Sequence, residues 1–286
     1  MAHDGPAFFA LKDAELVPAP HARGPWSPDM LHGRLLGGLA ARALEAEHGD
    51  PEFRFARLTV DLFRNSPLLP LRVETTRVRE GRRIRVADAV VTTEQGPVAR
   101  ASAVLLRRAA QPPGEAWPPP SLEPPDLTVP GAPGDWNLPF DFWRADGWSG
   151  PGPYTAWVRE TRQMVEGEEL SPFVHVALAA DFASPLTNSG TAGLHFINAD
   201  YTITLARLPV GEAIGLESRG HLSDDGIATG SATIHDVQGP IGFCQVTAVA
   251  NAATPSAAED ASRPSPRHWT DLSGLSGRRG PGGASR

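Results

Sequence analysis

Between residues 33 and 48 apolar side chains fall at Leu35, Leu36, Leu39, Ala40, Ala43 and Leu44, one stripe of a helix that Gly49 ends. Ser27-Pro28 offers an earlier start, as cap and first-turn proline. Gly33, Gly37 and Gly38 give this helix a bare side that a sheet can approach. Polar and β-branched residues then alternate over 58–64, 71–80, 83–94 and 97–108, which predicts four strands. The order recurs downstream: a helix over 172–182 capped by Ser171, then strands over 195–206, 213–222, 226–236 and 241–250. Segments 8–17 and 154–162 read as leading strands, and Gly96 and Gly239 close matching hairpins.

The two halves share one register. Moving the chain by 143 residues places Gln95-Gly96-Pro97 on Gln238-Gly239-Pro240, Val73-Glu74-Thr75 on Leu216-Glu217-Ser218, Arg64 on Arg207 and His32 on His175. Agreement without a gap over more than 60 positions indicates a duplication. This divides the chain into a first unit, 1–108, and a second, 136–251. Between them, nine of the 27 residues from 109 to 135 are proline, a composition that predicts an extended linker. Residues 252–286 are rich in Ala, Ser, Gly, Pro and Arg and are expected to form a disordered tail.

Composition narrows the chemistry. The 286 residues carry a net charge of −7, which argues against a nucleic-acid partner. Lys12 is the only lysine, which removes most Schiff-base chemistry and any phosphate loop ending in Gly-Lys-Ser/Thr. Cys244 is the sole cysteine, and the nine histidines lack ligand spacing, so neither a disulfide nor a metal site is expected. No Gly-x-Ser-x-Gly elbow or Gly-x-Gly-x-x-Gly loop occurs, and no cofactor is expected. No apolar run is long enough to span a membrane, so a cytoplasmic protein is the expectation.

A helix followed by four antiparallel strands, twice, has a physical solution in which each sheet curls around its helix and the two join edge to edge, covering sticky strands. The expected fold is α+β, a tandem (double) hotdog with two antiparallel sheets each wrapped around a long helix. The sequence resembles the double-hotdog acyl-CoA thioesterase family, in particular an actinobacterial thioesterase-like branch. The likeness rests on Leu31-His32-Gly33-Arg34, Ala40-Ala41-Arg42-Ala43, Leu58 to Arg64 and Gly81-Arg82-Arg83 in the first half. In the second it rests on Phe196-Ile197-Asn198-Ala199-Asp200, Arg207, Pro209 to Glu212, Gly239 to Gly242 and Gln245.

The resemblance implies hydrolysis of acyl-CoA thioesters to a fatty or other carboxylic acid and coenzyme A, a role in lipid metabolism, by water positioned by Asp200, Ser218 and Gln245. Arg219 competes with Ser218 for the hydroxyl position. Asp200 would be the general base, and backbone N–H groups of Gly33 and Arg34 would hold the oxyanion. His32, Asn198, Arg82 and Arg83 are candidate substrate contacts. The twins of the trio are Arg57, Thr75 and Ser102, which predicts one site per chain. Two other functions stay open: a non-catalytic acyl-CoA-binding hotdog protein, and a hotdog enoyl-CoA hydratase or dehydratase. Acyl chain length, coenzyme A against acyl carrier protein, and assembly into a homo-oligomer are not legible.

Overall fold

A computed structural model describes residues 5–24, 26–27, 29–129, 140–144 and 152–251. The predicted tail, 252–286, lies outside the described residues, as do 130–135 of the predicted linker. Strands β1 (Phe9–Lys12) and β2 (Glu15–Pro18) form a separate hairpin, where one leading strand was expected. Helix α1 is Gly33–His48, followed by β3 (Phe53–Leu62), β4 (Arg72–Arg79), β5 (Ile84–Thr93) and β6 (Gly96–Arg107). The second half holds β7 (Phe140–Arg144), β8 (Thr155–Glu160), α2 (Pro172–Ala180), α3 (Ala183–Asn188) and two short strands, β9 (Ser189–Gly190) and β10 (Gly193–Leu194). It closes with β11 (Phe196–Leu205), β12 (Ile214–Asp224), β13 (Ile227–Asp236) and β14 (Gly239–Ala250).

The two sheets, expected to join edge to edge, form one continuous main sheet. Antiparallel pairing of β3 with β11 joins the halves into ten strands in the order β4-β5-β6-β3-β11-β14-β13-β12-β8-β7. The seam lies on a pseudo-twofold axis: Thr59 and Thr202, 143 residues apart, face each other across it with hydroxyls 3.0 Å apart. β3, β5 and β6 coincide with β11, β13 and β14 at that offset. Even the bulges match, between Phe55 and Arg57 in one half and between Asn198 and Asp200 in the other. Gly96 and Gly239, both at positive φ, make the twin hairpin turns.

The helices share one face of the sheet. Ala87, Ala89, Ala101 and Ala103 keep that face shallow under α1, while Leu35, Leu39 and Leu44 fill the space. Gly37 is required by close approach, because a Cβ there would meet the Tyr201 hydroxyl at 1.7 Å. That hydroxyl donates to the Ala177 carbonyl at 2.9 Å, tying β11 to α2 beneath α1. Gly38 admits Met164 and Leu178 rather than a strand.

The second helix departs from the expected single long rod. Ser171 accepts from the Val174 N–H and Pro172 fills the first turn, so α2 starts early, and His175, the twin of His32, lies inside it. The helix then breaks at Asp181 and Phe182, because Pro185 cannot donate to Asp181 and the Ser184 N–H bonds there instead. No helix among the described residues is long and apolar enough to cross a membrane.

Candidate active site

A cavity with about 590 Å³ of empty space, its open mouth included, lies between the N-terminus of α1, the α2–α3 break and the start of β11. Phe140, Val158, Leu178, Phe182, Leu194 and Phe196 make most of its wall apolar. His32, Arg34, Asp181, Ser184 and Asn198 supply the polar groups. An apolar pocket with a few converging polar groups is the usual form of a small-molecule site.

Asp181 is the chemically distinctive member. It ends α2, is 8% exposed, and takes a hydrogen bond from Asn198 Nδ2 at 2.9 Å. Burial pushes its carboxyl above the ordinary carboxylate range, against the opposing pull of Asn198 and the Arg34 charge. A methyl group added at Gly33 would lie 4.0 Å from Asp181 Oδ1, so the carboxylate stands beside the first turn of α1. The first-turn N–H groups of a helix have no intrahelical acceptor and carry partial positive charge.

His32 caps that helix: its Nδ1 accepts from the Arg34 N–H at 3.4 Å. A candidate substrate contact from the sequence, it lines the cavity, and desolvation with the nearby Arg34 charge lowers its pKa to about 3. Its ring is therefore neutral near pH 7. The Arg34 guanidinium is buried, ion-paired with Glu160, and stacked over the Phe140 ring at 4.7 Å. Cys244 is fully buried with its thiol pKa pushed up by desolvation, which removes it as a nucleophile.

The sequence-predicted trio is not brought together. Asp200 and Gln245 lie on the face of the sheet away from the helices, while Ser218 points toward them alongside Leu216 and Ala232. Three strand spacings, about 14 Å, separate β11 from β12 as well. The bulge at Ala199 is the physical cause: the extra residue reverses the alternation, turning Asn198 inward and Asp200 outward. Asp200 Oδ1 instead accepts from the Thr247 N–H and hydroxyl at 2.8 and 2.9 Å. Arg219 is the extra residue of the β12 bulge and bonds Thr233 and Glu217.

His32, Arg34 and Asn198 do line the cavity, with Gly33 between the first two in α1's first turn. Arg82 and Arg83 do not; they are exposed in the β4–β5 turn, on the far edge of the first half. Asp181 was missed because it lay inside the predicted helix. The available signal was its charge, the only one from Pro172 to Asn188, four residues before a proline. Among the described residues no group of three or more His, Cys, Asp or Glu is arranged to hold a metal ion.

Comparisons with known proteins bear on both halves. A family profile for the acyl-CoA thioesterase N-terminal domain matches residues 22–106, and one for the acyl-CoA thioesterase C-terminal domain matches 109–250. No curated protein matches the sequence. Among solved structures, the tesB protein of Mycobacterium avium subspecies paratuberculosis is similar at 13% identity and a TM-score of 0.61, covering 84% of this chain and 94% of that one. Acyl-CoA thioesterase II of Mycobacterium marinum is similar at 16% identity and a TM-score of 0.58, covering 76% and 89%. A protein of unknown function with a hotdog fold, from Alicyclobacillus acidocaldarius, is similar at 15% identity and a TM-score of 0.63, covering 86% and 96%. The fold is thus of the hotdog kind, and, with both of its halves matched, the chain belongs to the acyl-CoA thioesterase family, enzymes that hydrolyse acyl-CoA thioesters.

Proposed function

We propose that the chain is a fused pair of hotdog units that hydrolyses acyl-CoA at the cavity, with Asp181 as general base. The observation that carries this reading is a buried carboxylate with a raised pKa, oriented by Asn198 and standing beside a helix N-terminus. The thioester carbonyl oxygen would sit against the Gly33 and Arg34 N–H groups, which hold the charge as it develops. A water bonded to Asp181 gives up its proton to the carboxylate while its oxygen attacks the carbonyl carbon. The tetrahedral intermediate collapses, the carbon–sulfur bond breaks, and Asp181 returns the proton to the departing thiolate. A base whose pKa approaches the working pH is the better proton acceptor, which is what burial provides here.

A second reading keeps the pair Asp200 and Gln245 on the outer face. It has one observation in its favour: Asp200 stands opposite Thr247, two positions along the strand from the Thr202–Gln245 pair, so the two side chains share a surface. That surface is open, without apolar walls or a helix terminus to meet an oxyanion, so the cavity is the better supported site.

Thiol release measured over a panel of acyl-CoAs tests the activity. Saturable release by the wild-type protein is expected. Binding without release across the panel would leave a non-catalytic acyl-CoA-binding protein, and loss of conjugated absorbance from an enoyl-CoA would favour a hydratase.

A further inference from the structure

Outside the cavity, β12 carries a second cluster of reactive side chains. Ser223 Oγ lies 3.0 Å from His221 Nε2, and His221 Nδ1 lies 2.9 Å from Asn188 Oδ1. A hydroxyl on an imidazole that a third group orients is the arrangement that activates a serine as nucleophile, and it recurs on unrelated folds. Asn188 sets the tautomer. It is buried at the end of α3, and its Nδ2 faces the Ser184 hydroxyl at 3.5 Å, which turns its carbonyl oxygen to the ring. Nδ1 therefore carries the proton and donates to Asn188, and Nε2 keeps a lone pair for the Ser223 hydroxyl. The Phe196 ring packs against the imidazole at a centroid distance of 5.7 Å. His221 and Ser223 are both exposed, so a small molecule can reach the hydroxyl.

The backbone supplies donors at the same place. Asp225 and Gly226 both have positive φ, the mark of a two-residue hairpin turn whose flanking residues, Asp224 and Ile227, exchange their hydrogen bonds. Alternation along β12 then aims the Ser223 and His221 N–H groups away from β13. β8 pairs with β12 only over Ile214–Glu217, so among the described residues no strand takes up that edge. A free N–H on the nucleophile itself is a donor for an oxyanion. The fold does not require these side chains, since their twins in the first half are Val78, Glu80 and Glu45. We infer that Ser223, His221 and Asn188 form a second hydrolytic site, which cleaves small carboxylic esters through an acyl-serine. Ser223 Oγ attacks the ester carbonyl carbon while its proton passes to His221 Nε2. The carbon–oxygen bond breaks, and His221 returns that proton to the departing alcohol. Water then attacks the acyl-serine and gives a proton to His221, and the carboxylic acid leaves as Ser223 takes the proton back. Asn188 is a positioning residue, holding the ring and its tautomer. The substrates are small because an open surface offers little binding energy beyond the reacting atoms.

The test is made in Asp181→Asn, where the base proposed for the cavity is gone, so its outcome does not depend on that reading. A fluorophosphonate probe, followed by peptide mass spectrometry, should mark Ser223 at least about 10²-fold faster than the other exposed serines, the lower end of what a positioned base contributes. Adding His221→Ala should abolish that excess. Asn188→Leu should lower it, and Asn188→Asp, which keeps the acceptor, should restore it. Hydrolysis of p-nitrophenyl acetate should fall at least about tenfold when Ser223→Ala is added, with the melting temperature unchanged. Labelling of Ser223 no faster than that of the other serines, or equal with and without His221→Ala, would overturn the inference. Asn188→Asp as slow as Asn188→Leu would overturn the part given to Asn188.

Discussion

The two ends of the β3–β11 seam began as copies and have become opposites. At the start of β11, Asn198 turns inward at the Ala199 bulge and holds Asp181 in a cavity. At the start of β3, the same bulge turns inward the twin of Asn198, which is Phe55. Its ring stacks on Phe173 of α2 at a centroid distance of 4.3 Å, and both are buried. The twin of Asp181 is Gly38, whose missing side chain is replaced by Met164 and Leu178. A carboxylate does occur at this end, Glu45, half-buried and raised in pKa by desolvation, but it is bonded to Ser171 at the first turn of α2. One backbone plan thus yields a polar cavity where amide and acid face the helix, and a dry joint where two rings do. The difference between the two ends follows from side chains, not from topology.

The largest effect on stability is expected at the dry end. Phe55→Ala should cost about 3–5 kcal/mol in a denaturant titration, through lost burial and the cavity left behind, with kcat of the folded protein unchanged. A fall in kcat to match would mean that the two ends are not functionally distinct. At the wet end, Asn198→Ala should lower kcat about tenfold, because one oriented hydrogen bond on the base is worth about 1–1.5 kcal/mol.

Acid should weaken the fold through the buried histidines. Burial and the Arg34 charge lower the His175 pKa from 6.5 to about 4, so the unfolded chain takes up a proton that the folded one refuses. The stability this represents is complete above pH 6.5 and is lost as pH falls toward 4, and His175→Leu should flatten melting temperature against pH over that span. The smallest effect lies on the axis itself. Thr202→Val removes the half-buried hydroxyl pair with Thr59 and should change stability by less than about 1 kcal/mol.

Repetition made most of the architecture readable. Amphipathic spacing gave α1 its true ends, Gly33 and His48, and strand alternation located all four strands of each half to within a few residues. β3 starts at Phe53, five positions before its predicted start, because Phe53 and Phe55 continue the buried face past Arg54. The edge-to-edge joining of the two sheets was expected from the repeat and the need to cover sticky strands; which strands meet, β3 and β11, is beyond the reach of local periodicity. The site was legible in part. Of the residues singled out in the sequence, His32, Arg34 and Asn198 line the cavity, although for Asn198 the family pattern, not its chemistry, pointed there. The outward facing of Asp200 was not legible because a one-residue bulge, which alternation alone does not reveal, decides which face a strand residue takes. Asp181 was hidden by a helix that a proline breaks.

The central claim is that the acid facing the cavity, and not the acid facing away from it, activates water. Its most direct measurement is kcat/KM against pH for wild type, Asp181→Asn and Asp200→Asn, with melting temperatures taken alongside. The account predicts a loss of about 10²–10⁴-fold in Asp181→Asn, an acid limb in the wild type lying above the ordinary carboxylate range, and near-wild-type rates in Asp200→Asn. Because folding raises the Asp181 pKa, the ionised form weakens the fold as pH rises through that value, so Asp181→Asn should melt no lower than wild type at neutral pH. Full activity in Asp181→Asn, with loss confined to Asp200→Asn, would contradict the account and move the reaction to the outer face of the sheet.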